Sequence, residues 1–377
     1  MIELNVNKEE LKKSLTFANS ATGDSKSSIE SHCLFSLSGD TLKVVSTNKS
    51  TCFSRSYVNA TKCSGEGSFT ADPDKLLNLI KVSGSDNIGI IYHPETTSLE
   101  VYASEESDSF VSLSSFDPTL FPLIEDNFDK AYEVKTIDAG IFIKGLAFAG
   151  GFISTGNGAG KFGNVFITDG VIYGSNGNNQ AGAYSSGEFT GLTELAFPGL
   201  IISQISNIIN KLNFFDITLK TTSNAIFICS GDYSYGFTKV QTQMPRMPIT
   251  IEEPTTNNWN IDKKLLIKKI NRLKISGESG MGLEMCFSKT KLDLVTKAER
   301  PSKETLPCVG LEEEIFTADC WMVEKIMGLF EGDSISIFSG KRRINLFSKG
   351  SINIQEKEGE RVVPFSCAAL IALAVPK

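Results

Sequence analysis

The residues best suited to a chemical role are basic side chains concentrated in one short segment. In a chain of formal net charge −7, this density of Lys and Arg indicates a polyanionic partner, because these side chains neutralise phosphate groups. On any one helix, lysines more commonly form only a solvated face, and that interpretation stays open for the sparser basic groups elsewhere. The residues, at helical spacing, are Lys263, Lys264, Lys268, Lys269, Arg272 and Lys274.

Groups that perform catalysis are scarce. The chain has two histidines, His32 and His93, in strand-like positions, which leaves almost nothing for a histidine-based hydrolase or a metal centre. Its eight cysteines lie far apart without a Cys-x-x-Cys pair, as expected of reduced, buried thiols. Acidic pairs such as Glu252-Glu253 fall in predicted loops. We therefore predict no catalytic residues, cofactor or metal; an enzyme, recognisable by carboxylates converging in a cleft, is the weaker alternative.

One glycine-rich segment has the spacing of a nucleotide-binding loop. Residues Gly158 to Gly163 fit the pattern Gly-x-Gly-x-x-Gly. The segment follows a predicted helix and precedes a predicted strand, which is the reverse of the strand-to-helix setting that phosphate-binding loops require. We predict an ordinary loop here.

Internal repetition organises the whole chain. Phe69-Thr70-Ala71-Asp72 recurs as Phe316-Thr317-Ala318-Asp319, and a related start, Ala196-Phe197-Pro198, lies between them. An amphipathic helix and two strands around a turn follow each start, and another helix and hairpin precede it. The pattern predicts an α+β protein with three tandem copies of one unit, each with two helices on antiparallel sheets, over residues 1–125, 126–248 and 249–377.

The apolar segments are short. No stretch reaches the 18 or more apolar residues of a membrane span, and the first residues read as a strand and not as a secretory signal. We expect a protein of the cytoplasm, in a bacterial cell or an infected host cell, with no membrane partner.

With the repeat established, the sequence resembles the bacterial-type DNA sliding clamps, the β subunits of DNA polymerase III, as a divergent and conceivably virus-encoded relative. The resembling stretches are Phe69–Leu77, Ser109–Phe116 with Phe121-Pro122, Val240–Pro245 and Ala374–Lys377. The resemblance implies a ring of six similar domains from two protomers joined head to tail, with helices lining the hole. Twelve helices about 10 Å wide leave a lumen of roughly 28 Å, whereas six leave about 9 Å. Only the larger ring passes a duplex, so a dimer is needed.

The resemblance also implies a pocket for partner peptides, built from a loop, a segment at the second domain boundary and the C-terminal strand. Thr168-Asp169-Gly170 matches the family loop by residue type, but alignment of the copies places it at a hairpin turn and assigns the loop to Ser175–Asn178. Asn178 stands where the family has His, which leaves the peptide specificity open. For the apolar residues, a core strand is an equally open interpretation. The assigned residues are Ser175, Gly177, Asn178, Met244, Pro245, Met247, Leu373, Val375, Pro376 and Lys377, with Val363 and Phe365 as rivals for the C-terminal wall.

The same mapping places contacts between protomers and contacts to DNA. Val111 and Leu113, on an edge strand of the first domain, are expected to meet Lys274 and Ile275 of the third domain in a homodimer. The expected DNA contacts are Lys26, Lys161, Lys263, Lys264, Lys268, Lys269 and Arg272.

The predicted function is therefore that of a sliding clamp, a processivity factor of DNA replication. Such a ring encircles duplex DNA without reading its sequence. It recruits a replicative DNA polymerase, a clamp-loader ATPase and other replication and repair proteins through short peptides. The alternative is a repeat-built protein-interaction or viral assembly protein that does not bind DNA, which predicts no basic hole and no dimeric ring.

Overall fold

The structure is a computed structural model. It describes residues 1–23, 28–58, 63–103, 109–122, 130–156, 158–246, 258–278, 280–310, 312–340, 343–356 and 359–372. These residues form two compact units, one of residues 1–136 and 210–239 and one of residues 137–209 and 240–377.

Within the described residues, six α-helices occur in three pairs, two in each predicted copy. The second helices of copies one and three begin where the repeated tetrapeptide predicts. Asp72 and Asp319 are their N-caps, and each carboxylate accepts hydrogen bonds from backbone N–H groups of the first turn. The helices are α1 Lys8–Ala18, α2 Pro73–Val82, α3 Ala139–Gly150, α4 Gly199–Leu212, α5 Lys263–Lys274 and α6 Cys320–Leu329.

Antiparallel strands make up the rest of the regular structure. In the first part of the chain they are β1 Ile2–Asn7, β2 Cys33–Ser38, β3 Thr41–Thr47, β4 Thr51–Val58, β5 Cys63–Ser64, β6 Gly67–Ala71, β7 Asn87–His93, β8 Ser98–Tyr102, β9 Val111–Ser114 and β10 Tyr132–Asp138. Then follow β11 Asn164–Thr168, β12 Val171–Ser175, β13 Gln180–Ser186, β14 Leu195–Pro198, β15 Asp216–Thr221, β16 Ala225–Ser230, β17 Tyr233–Thr238 and β18 Asn258–Asp262. The last are β19 Gly282–Phe287, β20 Lys291–Lys297, β21 Lys303–Pro307, β22 Val309–Gly310, β23 Glu314–Asp319, β24 Ser334–Gly340, β25 Arg343–Glu356 and β26 Gly359–Ala372.

The first unit contains a five-stranded sheet in the order β5-β1-β7-β8-β9 and an eight-stranded sheet in the order β10-β15-β16-β17-β4-β3-β2-β6. The larger sheet joins strands of copy one to strands of copy two through the β4–β17 pair, in which Arg55 lies opposite Tyr233. Apolar residues of α1 and α2, including Leu11, Leu15 and Ile80, are fully buried. Burial of this stripe is the main reason why the short helices are stable.

The second unit repeats this arrangement. It contains a nine-stranded sheet in the order β14-β11-β12-β13-β26-β25-β24-β18-β22 and a four-stranded sheet in the order β21-β20-β19-β23. Here the β13–β26 pair joins copy two to copy three, with Tyr184 opposite Cys367. The predicted order of helix and hairpin is present in every copy. The predicted boundaries near residues 125 and 249 lie outside the described residues.

A buried arginine stabilises the joint in the eight-stranded sheet. Arg55, only 6% exposed, donates from Nε to Asp232 Oδ2 at 2.9 Å and from Nη1 to Ser14 Oγ at 2.9 Å. Its Nη2 pairs with the Glu10 carboxylate, and its guanidinium lies 4.4 Å from the centroid of the Tyr233 ring. A buried charge needs such complete pairing, because an uncompensated guanidinium would be strongly destabilising there.

Candidate nucleic-acid interface and partner pocket

The basic segment forms α5. An N-cap residue sets where this helix begins, and an apolar stripe sets which face it buries. Asp262 caps the helix, its Oδ1 accepting a hydrogen bond from Leu265 N at 2.7 Å. Leu266, Ile270 and Leu273 recur at helical spacing and are buried. The basic side chains must therefore lie on the flanks and on the solvent face of the helix.

Three cations form a stripe on the solvent face of α5. Lys264, Lys268 and Arg272 are four residues apart and exposed, so they share one side of the helix. Together with Ile267, Asn271 and the exposed Ile275, they line a shallow groove. We call Lys264, Lys268 and Arg272 the basic stripe.

The other three cations of α5 bind groups of their own chain. Lys263 Nζ donates to the Phe330 carbonyl at 2.6 Å. Lys269 Nζ lies 2.5 Å from Glu304 Oε2, and both side chains are about four-fifths buried. Lys274 Nζ lies 2.9 Å from Glu324 Oε2, and it lies 5.3 Å from the centroid of the Trp321 ring. Sequence reasoning grouped Lys263 and Lys269 with the DNA contacts; the structure gives them intramolecular partners.

The role of Lys263 has a counterpart in copy one. Lys8 Nζ donates to the Ser83 carbonyl at 2.6 Å, just as Lys263 Nζ donates to Phe330 at the end of α6. Both lysines stand at the start of a first helix and satisfy a carbonyl at the end of the second, where cations are favourable. This correspondence indicates a structural role for Lys263.

Carboxylates accompany two members of the basic stripe. Lys264 Nζ lies 2.8 Å from Asp333 Oδ1, and Arg272 Nη1 lies 3.6 Å from Glu304 Oε1. The hydrogen bond from Lys264 lowers the pKa of Asp333, and that from Lys269 lowers the pKa of Glu304. Lys268 makes no ion pair within the part of the chain that the structure describes.

The two remaining predicted DNA contacts lie elsewhere. Lys26 is outside the described residues. Lys161 is exposed, and its Nζ lies 5.3 Å from the centroid of the Phe162 ring. The glycine-rich segment around it runs from α3 to β11, as the sequence predicted, so it lacks the strand-to-helix setting of a phosphate-binding loop.

The predicted pocket loop connects β12 to β13. Asn176 Oδ1 accepts hydrogen bonds from the backbone N–H groups of Asn178, Asn179 and Gln180, which makes a tight polar turn. Ser175 is buried, whereas Gly177 and Asn178 are exposed. Gly177 has a φ of +76°, and a Cβ there would lie 2.6 Å from the Phe162 ring, so only glycine fits.

Met244 packs on an apolar cluster of the nine-stranded sheet. Met244 N donates to Glu194 Oε1 at 3.0 Å, and the Tyr173 hydroxyl donates to the Arg246 carbonyl at 3.5 Å, which ties the segment to the sheet. Pro245 is buried. The cluster consists of Val171, Tyr173, Ala181, Ala183, Phe338, Phe347, Ala368 and Leu370. The structure thus places Met244 on the same face of the sheet as the cluster residues of β12 and β13, the two strands that the predicted loop connects.

The described part of the C-terminal strand β26 places two residues in this cluster. Ala368 and Leu370 of β26 belong to the cluster, whereas the ring of Phe365 stacks on Tyr184 at 5.2 Å. Successive residues of a strand face opposite sides, so Val363 and Phe365 lie on the face away from the cluster. Neither residue lines this cluster. Met247, Leu373, Val375, Pro376 and Lys377 lie outside the described residues.

The residues predicted to join protomers lie at sheet or helix ends. Val111 and Leu113 are on β9, which is an edge strand of the five-stranded sheet, as predicted. Ile275, directly after α5, is 86% exposed. Lys274, the last residue of α5, forms the ion pair with Glu324 of its own chain that is described above.

The described part of the chain offers few groups for metal binding or histidine and thiol chemistry. No group of three His, Cys, Asp or Glu side chains that could hold a metal occurs among the residues described. His32 is buried against Phe116, and His93 Nε2 lies 3.3 Å from Glu100 Oε1. Burial raises the pKa of the Cys320 thiol to about 11, which opposes thiolate chemistry. None of the described helices has the length and apolar content needed to cross a membrane.

Comparison with known proteins places this geometry in a familiar fold. No protein-family model and no curated protein matches the sequence. A DNA polymerase sliding clamp from Pseudomonas aeruginosa matches with a TM-score of 0.80 and 13% identity, covering 100% of both chains. The DNA polymerase III β subunit of Thermotoga maritima covers 100% of both chains with a TM-score of 0.77 and 14% identity. A putative β subunit from Eubacterium rectale covers 99% of this chain and 100% of its own, with a TM-score of 0.80 and 11% identity.

The chain therefore has the α+β sliding-clamp fold over its full length. The fold is, more particularly, that of the bacterial DNA polymerase III β subunits, with which this sequence shares 11% to 14% identity in these three comparisons.

Proposed function

We propose that this protein is a DNA sliding clamp, a non-enzymatic processivity factor that encircles duplex DNA. One observation carries the proposal: a full-length clamp fold carries an exposed row of cations, the basic stripe, although the net charge of the chain is −7. A polyanion is the partner that such a local reversal of charge fits best.

Strand pairing supports a closed ring of two protomers. In the first unit, the third strand after α1, β4, pairs with the third strand after α4, β17. In the second unit, the third strand after α3, β13, pairs with the third strand after α6, β26. The strands left in the equivalent places are β21 after α5 and β9 after α2, and each is an edge strand of its described sheet. An unpaired edge is a template for another strand, so we pair β21 of one protomer with β9 of its partner.

This pairing agrees with the residues assigned to the homodimer contact. Val111 and Leu113 lie on β9. Lys274 ends α5, the helix that packs on β21, and Ile275 follows it directly. Two protomers supply the twelve helices that the lumen of roughly 28 Å requires.

The basic stripe would contact phosphates and not bases. Lys and Arg side chains that meet only the backbone give affinity without sequence preference, and the release of condensed counterions from the DNA makes binding depend on salt. The ring can then slide while it stays linked to the DNA.

The cluster under Met244 would be the site for partner peptides. Its side chains are at most 8% exposed, so an apolar anchor of a short peptide would reach them by displacing Met244, whose side chain adapts to different shapes. The partners we propose are a replicative polymerase, a clamp-loader ATPase and other replication and repair proteins.

The test combines oligomeric state with topology. Light scattering after size exclusion should give twice the 41.0 kDa mass of the chain. Protein loaded on nicked circular DNA should stay bound in high salt and leave once the circle is cut. A monomer at every concentration, with no retention on circles, would favour the protein-interaction alternative.

A further inference from the structure

We propose that Asp333 and Glu304 compete with DNA phosphates for the basic stripe, and so keep its grip on DNA weak. This inference rests on the proposed function and concerns the regulation of the same site. It assigns to these two carboxylates a regulatory role, competition with phosphate, which the clamp fold by itself does not require.

Asp333 is fixed beside Lys264 by the backbone. Its carbonyl accepts a hydrogen bond from Lys263 N at 2.8 Å, which anchors the turn between α6 and β24 to the start of α5. Its Oδ1 lies 2.8 Å from Lys264 Nζ, while the two side chains remain 81% and 79% exposed. The pair therefore forms at the surface where a phosphate would approach Lys264.

Glu304 reaches α5 from the neighbouring strand β21. Its Oε2 binds the largely buried Lys269 at 2.5 Å, and its Oε1 lies 3.6 Å from Arg272 Nη1. Lys269 thus holds the carboxylate in place, and the carboxylate in turn draws Arg272 towards the sheet. Arg272 remains 54% exposed, so its other N–H groups can reach a phosphate.

The Lys264–Asp333 pair is exposed and therefore weak, and the 3.6 Å contact of Arg272 with Glu304 leaves Arg272 more than half exposed. A phosphate can therefore replace the carboxylate at either cation. Each exchange breaks one pair to form another, so Lys264 and Arg272 contribute less to DNA affinity than a free cation. Lys268, for which the described residues supply no carboxylate, is the member of the stripe that acts at full strength. A low net affinity suits a ring held by topology, because strong phosphate contacts would slow its sliding.

The experiment compares variants in which a neutral amide replaces a carboxylate. Each single variant and the control raise the net charge by one, so they are compared at equal charge, and the double variant raises it by two. Asp333→Asn and Glu304→Gln, singly and together, are measured in the full-length chain for binding to a short linear duplex across a range of salt concentrations. The control is Asp293→Asn. Asp293 also pairs with two lysines, Lys291 at 3.2 Å and Lys303 at 2.9 Å. It contacts Thr305, the neighbour of Glu304, and so lies on the opposite face of the same sheet.

We expect the double variant to bind the duplex several-fold more tightly. The slope of log affinity against log salt concentration should become steeper by up to about 0.9 for each side-chain cation that is freed from its carboxylate. The control should match the parent in both measurements. Equal gains in the double variant and the control, or no gain in the double variant, would overturn the inference. Asp333→Asn alters an exposed side chain, so it tests the idea even if Glu304→Gln disturbs folding.

A further variant separates this inference from the proposed function. If Lys268→Ala weakens binding but the double variant gains nothing, only the competition is refuted. If the parent does not bind duplex DNA at all, the proposed function fails, and the inference fails with it.

Discussion

Helices α3 and α5 hold equivalent places in consecutive copies, yet their exposed faces have little in common. Each follows a strand, and each is capped by an Asp, Asp138 or Asp262, whose Oδ1 accepts a backbone N–H at 2.7 Å. Each buries an apolar stripe. Outside that stripe α3 has two Gly, one Ala, Ile143 and a single cation, Lys144, whereas α5 has six cations.

The difference between the exposed faces of α3 and α5 distinguishes residues that stabilise the fold from residues that could bind a partner. The cap and the buried stripe recur because a short helix is stable only when its first N–H groups are satisfied and its apolar face is packed. The single cation of α3 pairs with Glu331 at 3.0 Å. The basic stripe of α5 contributes to neither requirement. Its presence in one copy and absence in the next is therefore evidence about function and not about folding.

The largest expected effect tests the shared part of the comparison. Leu146→Ala in α3 and Leu266→Ala in α5 remove fully buried side chains. Each should lower the free energy of unfolding by about 2–5 kcal/mol, measured by urea denaturation. A cost below about 1 kcal/mol in one helix only would show that the two cores are not equivalent.

The next effect tests the part that differs. Replacing Lys264, Lys268 and Arg272 by Ala should reduce affinity for a linear duplex by on the order of tenfold or more and flatten its salt dependence. The urea midpoint should stay close to that of the parent, because the side chains are exposed. The matched control is Lys144→Ala in α3. If that single change weakens DNA binding as much as the triple change, the functional contrast between the helices is refuted.

A smaller effect concerns the caps. Asp138→Ala and Asp262→Ala each leave N–H groups of a first turn without their acceptor, and each should lower the free energy of unfolding by about 1 kcal/mol. Thermal or urea unfolding measures this directly. Neither change should reduce DNA affinity beyond its effect on the folded fraction.

The smallest expected effect tests whether the exposed face of α3 contacts DNA in the proposed ring. Ala147 is exposed on α3, so Ala147→Lys adds a cation without disturbing the core. If α3 also lines the DNA hole, the variant should steepen the salt dependence of duplex binding by about 0.9, as expected for one new phosphate contact. An unchanged salt dependence would indicate that the exposed face of α3 does not meet DNA.

Much of the fold could be predicted from the sequence because its signals are local. The repeated Phe-Thr-Ala-Asp marks a strand end and an N-cap, and the helical or alternating spacing of apolar residues marks the helices and strands themselves. The pairing of β4 with β17 and of β13 with β26 could not be predicted, because no local pattern specifies which distant strand completes a sheet.

The site was predicted less completely for the same reason. The exposed stripe follows from the helical period of α5, but Lys263 and Lys269 could not be separated from it, since Phe330 and Glu304 are remote in sequence. Leu370, a member of the cluster under Met244, was not assigned, because the resemblance alone does not fix which residues of β26 face that cluster.

The pairing of Arg55 with Tyr233 also has a consequence for biosynthesis. When β4 leaves the ribosome, its partner β17 has not yet been made, and at about 5–20 residues per second the delay is on the order of ten seconds or more. During that time β4 has no neighbour on one side, and the Arg55 guanidinium lacks Asp232. The nascent chain therefore completes its first large sheet only after Thr238, the last residue of β17, has been synthesised. Contacts this distant in sequence make slow folding the expected outcome.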